Sequence, residues 1–145
     1  MKITSATRGD AISKGQFRFA YFTTEYEPTI AFYRDGLGLP ILESWDRGAD
    51  DRGTIFSVAS GLIEVLAMPT NRKSSDLWDA RPPQGAFMVI EVDDVTKDYQ
   101  RAVEKRLPIK QALTDQDWGH RSFCLTEPNG LTLYFFTATQ KRAVS

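Results

Sequence analysis

The chain has one cysteine and one histidine in 145 residues. A single thiol, Cys124, cannot close an internal disulfide, and no paired-cysteine zinc motif is present, so the pattern suits a reducing compartment. Long apolar runs are missing as well. The opening MKITSATRGDAISKGQ lacks the apolar core of a secretion signal, and no later stretch approaches the roughly 20 apolar residues that cross a bilayer. These absences predict a cytoplasmic protein with no membrane partner. Excess charge is also lacking: 18 Lys and Arg stand against 19 Asp and Glu, a formal net of −1. Without a basic block nucleic acid is not an expected partner, which leaves small molecules. Arg8-Gly9-Asp10 spells an adhesion tripeptide, but in a chain read as cytoplasmic it belongs to a polar N-terminal arm.

What the sequence does contain is a core. Hydrophobic residues make up 41%, and a domain of this length buries roughly 68–70% of its unfolded surface without help from disulfides or a structural metal. The run FRFAYFT (17–23) reads as a strand. A helix follows, with Thr24 or Glu27 near its start, Pro28 in its first turn, Ile30, Tyr33 and Leu37 on one face, and Gly36 or Gly38 at its end. Strands are predicted over 39–45, 54–59 and 62–67, the last two joined at Ser60-Gly61. Residues 68–85 fit neither period and read as a linker.

The pattern then restarts. Residues 86–92 alternate as a strand, and Asp93 or Asp94 caps a helix whose Val95, Tyr99, Ala102, Val103 and Leu107 form the expected buried face before Pro108. Strands over 109–114, 120–125 and 131–137 follow, the last two joined by a type I turn at Glu127-Pro128-Asn129-Gly130. The order β-α-β-β-β thus occurs twice, about 70 residues apart. The predicted architecture is α+β: a polar arm (1–16), one domain (17–137) of two modules (about 17–67 and 86–137) and a tail (138–145). Helices would cover the outer face of a curved sheet, and the inner faces would line a cup sized for a small ligand.

Two segments carry a resemblance. Ile30-Ala31-Phe32-Tyr33-Arg34-Asp35-Gly36-Leu37-Gly38-Leu39 is similar to the first helix and helix exit of the glyoxalase/bleomycin-resistance/extradiol-dioxygenase (vicinal oxygen chelate) superfamily. Trp118-Gly119-His120-Arg121-Ser122-Phe123 followed by Thr126-Glu127-Pro128-Asn129-Gly130 resembles its ending. Both in order, on a repeated βαβββ, support the fold; they say little about the reaction, because one fold hosts many functions.

Metal-using members of the superfamily place His and Glu ligands on the first and fourth strand of each half. The resemblance therefore implies that ligands would stand at Arg18, Glu64, Phe87 and Tyr134, and these positions pair across the halves at about 70 residues. Only Glu64 is an ordinary donor. Catalytic metals need about three His, Asp, Glu or Cys ligands, and a cationic Arg18 would repel the ion. No metal and no cofactor are expected. The sole His120 sits at a loop-to-strand junction and reads as an exposed or hydrogen-bonded side chain, and Cys124 as a small buried residue.

Strand alternation groups Arg18 with Phe22, Leu62 with Glu64, Phe87 with Glu91, and Tyr134 with Phe136. If these faces line the cup, they suit a flat or partly apolar ligand that stacks on rings and is oriented by Arg18, Glu64 or Glu91. The alternative for Arg18 and Glu64 is an internal structural pair. Trp78, in the linker, reads as a dimer contact or a lid, and Trp118 as an aromatic at the rim. The expected function, closest to the bleomycin-resistance branch, is metal-independent binding or sequestration of a small aromatic or amphipathic molecule by a homodimer. The alternative is a lyase, isomerase or dioxygenase, either metal-free with Glu64 as general base or metal-dependent through other ligands.

Overall fold

The computed structural model describes residues 12, 14–48, 50–69 and 84–139. The first module is β1 (Arg18–Thr23), α1 (Tyr26–Ala31) continuing into a π-helical turn (Phe32–Gly36), β2 (Ile41–Asp46), β3 (Arg52–Val58) and β4 (Gly61–Ala67). The second is β5 (Phe87–Glu91), α2 (Val95–Glu104), β6 (Ile109–Asp115), β7 (His120–Thr126) and β8 (Thr132–Ala138). Each module makes a four-stranded sheet, in orders β1-β4-β3-β2 and β5-β8-β7-β6. The first and last strands of each module run parallel, and the helix makes the crossover that such a pair requires. Together the sheets are open and curved rather than a closed barrel.

The helices form for different local reasons. Asp94 accepts a hydrogen bond from the Lys97 backbone N–H at 3.1 Å and so caps α2. At α1 no side chain caps the start; the Thr29 hydroxyl returns instead to the Glu25 carbonyl at 2.6 Å. The chain then widens by one residue, with the Leu37 N–H reaching the Phe32 carbonyl at 2.9 Å. Gly38, at φ 67°, turns the chain out through a conformation that glycine adopts without steric cost. Ile30, Tyr33 and Leu37 are all buried, as their spacing predicts.

The buried face of α2 differs from the expected one. Val103 is 49% exposed, whereas Asp98 is buried with Val95 and Ala102. The helix ends at Glu104, and Leu107 lies beyond it. Val95, Ala102 and, partly buried against the core, Tyr99 and Leu107 meet the expectation; Val103 does not.

Side-chain parity separates the faces of each sheet. Tyr21, Phe56, Ile63 and Val65 point towards the first helix, with the Tyr33 and Phe56 rings 5.4 Å apart. In the second module Tyr99 of α2 meets Phe123 edge-on at 5.3 Å, and Phe123 stacks on Phe135. All these residues belong to one apolar cluster spanning both modules. Burying each such aromatic contributes roughly 1.5–3 kcal/mol before entropy is counted.

A buried polar knot also joins the modules. Glu127, in the turn between β7 and β8, is 2% exposed. Its carboxylate accepts from the Tyr21 hydroxyl at 2.8 Å, the Leu131 N–H at 3.0 Å, and the backbone and side-chain N–H of Asn129. Asn129 in turn donates to the Thr29 hydroxyl at 3.0 Å and pairs with Thr23. Burial and the neighbouring carboxylate push the Tyr21 hydroxyl far above the ordinary phenol range, so it stays a donor.

Candidate functional site

The inner face of the first module is set by register. Arg18, Ala20 and Phe22 of β1 lie opposite Leu62, Glu64 and Leu66 of β4, which lie opposite Ser57, Ile55 and Gly53 of β3. Trp45 of β2 faces Gly53, and its ring lies so close over that glycine that an added Cβ would sit 2.2 Å from it. The floor is largely closed: Ile55, Ser57 and Leu62 are buried. Arg18 donates from Nη1 to Glu64 Oε1 at 3.1 Å, with the arginine 38% and the glutamate 15% exposed. The pair considered from the sequence therefore forms.

The inner face of the second module is more open. Phe87, Val89 and Glu91 of β5 lie opposite Thr132, Tyr134 and Phe136 of β8, which face Thr126, Cys124 and Ser122 of β7, with His120 at the strand's start. Phe87 is 60% and Val89 55% exposed. An apolar ring standing in solvent marks a place where a partner gains by covering it.

Phe87 also lines two cavities. One, of about 350 Å³, opens at the seam between the modules, with Phe17, Phe19, Leu62, Met88 and Val89 among its walls. The other, of about 450 Å³, is mixed in polarity and bounded also by Gln84, Gly85, Lys110, Gly130 and Thr132. Both volumes fall in the range of small-molecule sites. Lys110 donates to the Thr132 hydroxyl at 2.7 Å, and no carboxylate pairs with it among the described residues.

At the other end of this face four aromatic side chains meet. His120 stacks on Phe136 with ring centroids 3.8 Å apart and planes at 15°. The Trp118 indole donates to His120 Nδ1 at 3.2 Å, and the Tyr134 hydroxyl lies 3.0 Å from the same nitrogen. Phe136, expected to contact a ligand, is buried with His120 over it. Sequence reading placed His120 as exposed or hydrogen-bonded; it is half-buried and hydrogen-bonded. Its alternation with Ser122 and Cys124 was the signal that it shares the inner face.

The structure thus brings Arg18, Phe22 and Glu64 to one module's inner face and Phe87, Glu91, Tyr134 and Phe136 to the other's. Trp118 is 63% exposed beside His120. Trp78 lies outside the described residues. Cys124 is buried, and burial pushes its thiol above the ordinary range.

The four positions to which the resemblance assigns ligands do not offer a metal's donor set. Glu64 is held by Arg18, Phe87 has no donor atom, and Tyr134 is engaged with His120. Among the described residues no three His, Cys, Asp or Glu side chains converge.

Known proteins with this fold cover both binding and catalysis. The chain superposes on a glyoxalase/bleomycin resistance protein/dioxygenase from Nocardioides with TM-score 0.70 and 15% identity, covering 94% of this chain and 91% of that one. TnmS3, an antibiotic binding protein from Streptomyces sp. CB03234, gives 0.64 at 19% identity, with 89% and 98% covered. A lactoylglutathione lyase from Agrobacterium tumefaciens gives 0.62 at 18%, with 86% and 94% covered. At these identities the likeness is one of fold. No curated protein sequence matches the chain. The sequence profile of one family does match, over residues 15–135, which span both modules and the knot at Glu127. The repeat, the paired sheets and that match make the chain a member of the Glyoxalase/Bleomycin resistance protein/Dioxygenase superfamily.

Proposed function

We propose that this protein binds a small aromatic or amphipathic molecule in its cup without a metal, as a homodimer in a reducing compartment, in the manner of the superfamily's antibiotic-binding members. One observation carries the reading: an arginine–glutamate pair, a phenylalanine and a tyrosine stand at the four positions to which the resemblance assigns metal ligands. Arg18 neutralises the one carboxylate, which leaves the walls suited to stacking and hydrogen bonding. The exposed Phe87 and Val89 beside an apolar cavity support an apolar or aromatic ligand. The antibiotic-binding TnmS3 shares the fold.

The test is elemental analysis of the purified protein, followed by thermal-shift and tryptophan-fluorescence titrations with flat aromatic compounds, with and without chelator. Substoichiometric metal and chelator-insensitive binding are the expected results. A stoichiometric divalent metal, or binding lost on chelation, overturns the reading. Turnover abolished by Glu64→Gln with binding retained would instead make the protein an enzyme with Glu64 as its base.

A further inference from the structure

His120 is the one histidine of the chain, and its ring is held from three sides. Phe136 lies flat against it at 3.8 Å, Trp118 approaches Nδ1 at 3.2 Å, and the Tyr134 hydroxyl lies 3.0 Å from that same atom. The chemistry of the partners fixes the tautomer. An indole N–H can only donate, so Nδ1 must accept, and in the neutral ring the proton then sits on Nε2. Among the described residues Nε2–H has no hydrogen-bond partner. A donor fixed by stacking and left unpaired on a half-buried ring is a preorganised contact, because little ordering remains to be done when an acceptor arrives.

The Tyr134 hydroxyl approaches the same accepting nitrogen and, because Nδ1 carries no proton, donates to it alongside the Trp118 indole, so both neighbours hold the ring in this tautomer. On the same inner face Val89 is opposite Tyr134, and Phe87 stands exposed two residues before it. A fixed donor beside aromatic and aliphatic surface suits a flat ring system carrying an oxygen acceptor.

We propose that His120 is a ligand-recognising residue that presents Nε2–H to a carbonyl oxygen of a planar aromatic ligand lying on the second module's inner face. Trp118 acts through His120, as a positioning residue that fixes the tautomer. The inference rests on the aromatic-binding reading above and names the ligand class for it.

The test uses a matched pair of probes on the full chain, 9-fluorenone-2-carboxylate and fluorene-2-carboxylate, which share shape and charge and differ by one carbonyl. Calorimetric titration should find the ketone bound about tenfold more tightly by the wild-type protein, the worth of one net hydrogen bond. His120→Phe, which keeps a stacked ring, should abolish that preference and leave fluorene-2-carboxylate binding within about twofold. The infrared carbonyl stretch of the bound ketone should fall in the wild type, a readout that needs no variant to fold. Equal affinities, a preference that survives His120→Phe, or an unshifted carbonyl stretch each overturn the inference while leaving aromatic binding standing. If the wild type binds neither probe, the aromatic-binding reading falls, and this inference with it.

Discussion

The two modules share an element order and a sheet order, yet their inner faces have diverged. The first is closed: Ile55 and Leu62 are each 2% exposed, Trp45 is pressed over Gly53, and Arg18 is paired with Glu64. The second is open, with Phe87, Val89 and Trp118 more than half exposed and a histidine donor unpaired among the described residues. The helix-facing sides, by contrast, are alike, each packing aromatic rings from sheet and helix. The repeated half of the protein is the half that folds it. The half that differs between copies is where a ligand is to be sought.

The largest expected effect comes from cutting the knot that holds the modules together. Glu127→Ala strands the Leu131 and Asn129 N–H groups and leaves the Tyr21 hydroxyl only Tyr33 as a partner, and should cost about 3 kcal/mol. Urea unfolding followed by circular dichroism measures it; a loss below about 1 kcal/mol would mean the modules cohere through apolar packing alone.

Gly53→Ala tests whether the first module's floor is truly closed. A Cβ there would lie 2.2 Å from the Trp45 ring, so the indole must move. Overpacking of this kind costs about 1–3 kcal/mol. A shifted tryptophan emission and a lowered melting temperature should appear together.

Asp98 gives a smaller effect with a definite pH dependence. Burial, the largest cause, raises its carboxyl from 3.8 to about 6, and Arg101 offsets only part of this. The folded state thus holds the proton more tightly than the unfolded state. Stability from this group is fully present below pH 3.8 and is lost as the pH rises through about 6. Asp98→Asn should therefore stabilise by about 1–2 kcal/mol at pH 8, an amount reduced for partial solvation, and by nothing near pH 3.5. Denaturant midpoints across that range check it; an offset independent of pH would sink the account.

The smallest stability changes should come from the inner-face residues. Arg18→Ala and Phe87→Ala alter partly exposed side chains and should each change stability by less than about 1 kcal/mol. Their effects on ligand affinity sharpen the contrast between modules: Phe87→Ala should weaken an aromatic probe about tenfold or more, and Arg18→Ala by less. The reverse order would move the ligand to the first module's floor.

Much of this was legible from local pattern. Alternation in FRFAYFT and in residues 86–92 assigned Arg18, Phe22, Phe87 and Glu91 to inner faces, because successive strand residues must point to opposite sides. Helix packing was less legible. Val103 is expected on the buried face and Asp98 is not among its residues, yet Val103 is exposed and Asp98 buried, since helical period fixes the width of a face but not its centre. Phe136 carried the right parity but lies beneath His120, and parity says nothing of what covers a ring.

The sequence by itself determined the repeat, the α+β class and the faces of the strands, all of which follow from spacing within a few residues. Only the tertiary structure decided the rest. Glu127 meets Tyr21 from 106 positions away, and His120 is gripped by Trp118 from the turn before it and by Tyr134 and Phe136 from the neighbouring β8. Contacts of that kind depend on how the strands and turns come together across the chain, which no local period encodes. For that reason the sequence could show that a cup exists, while the donors inside it emerged only once the modules were folded together.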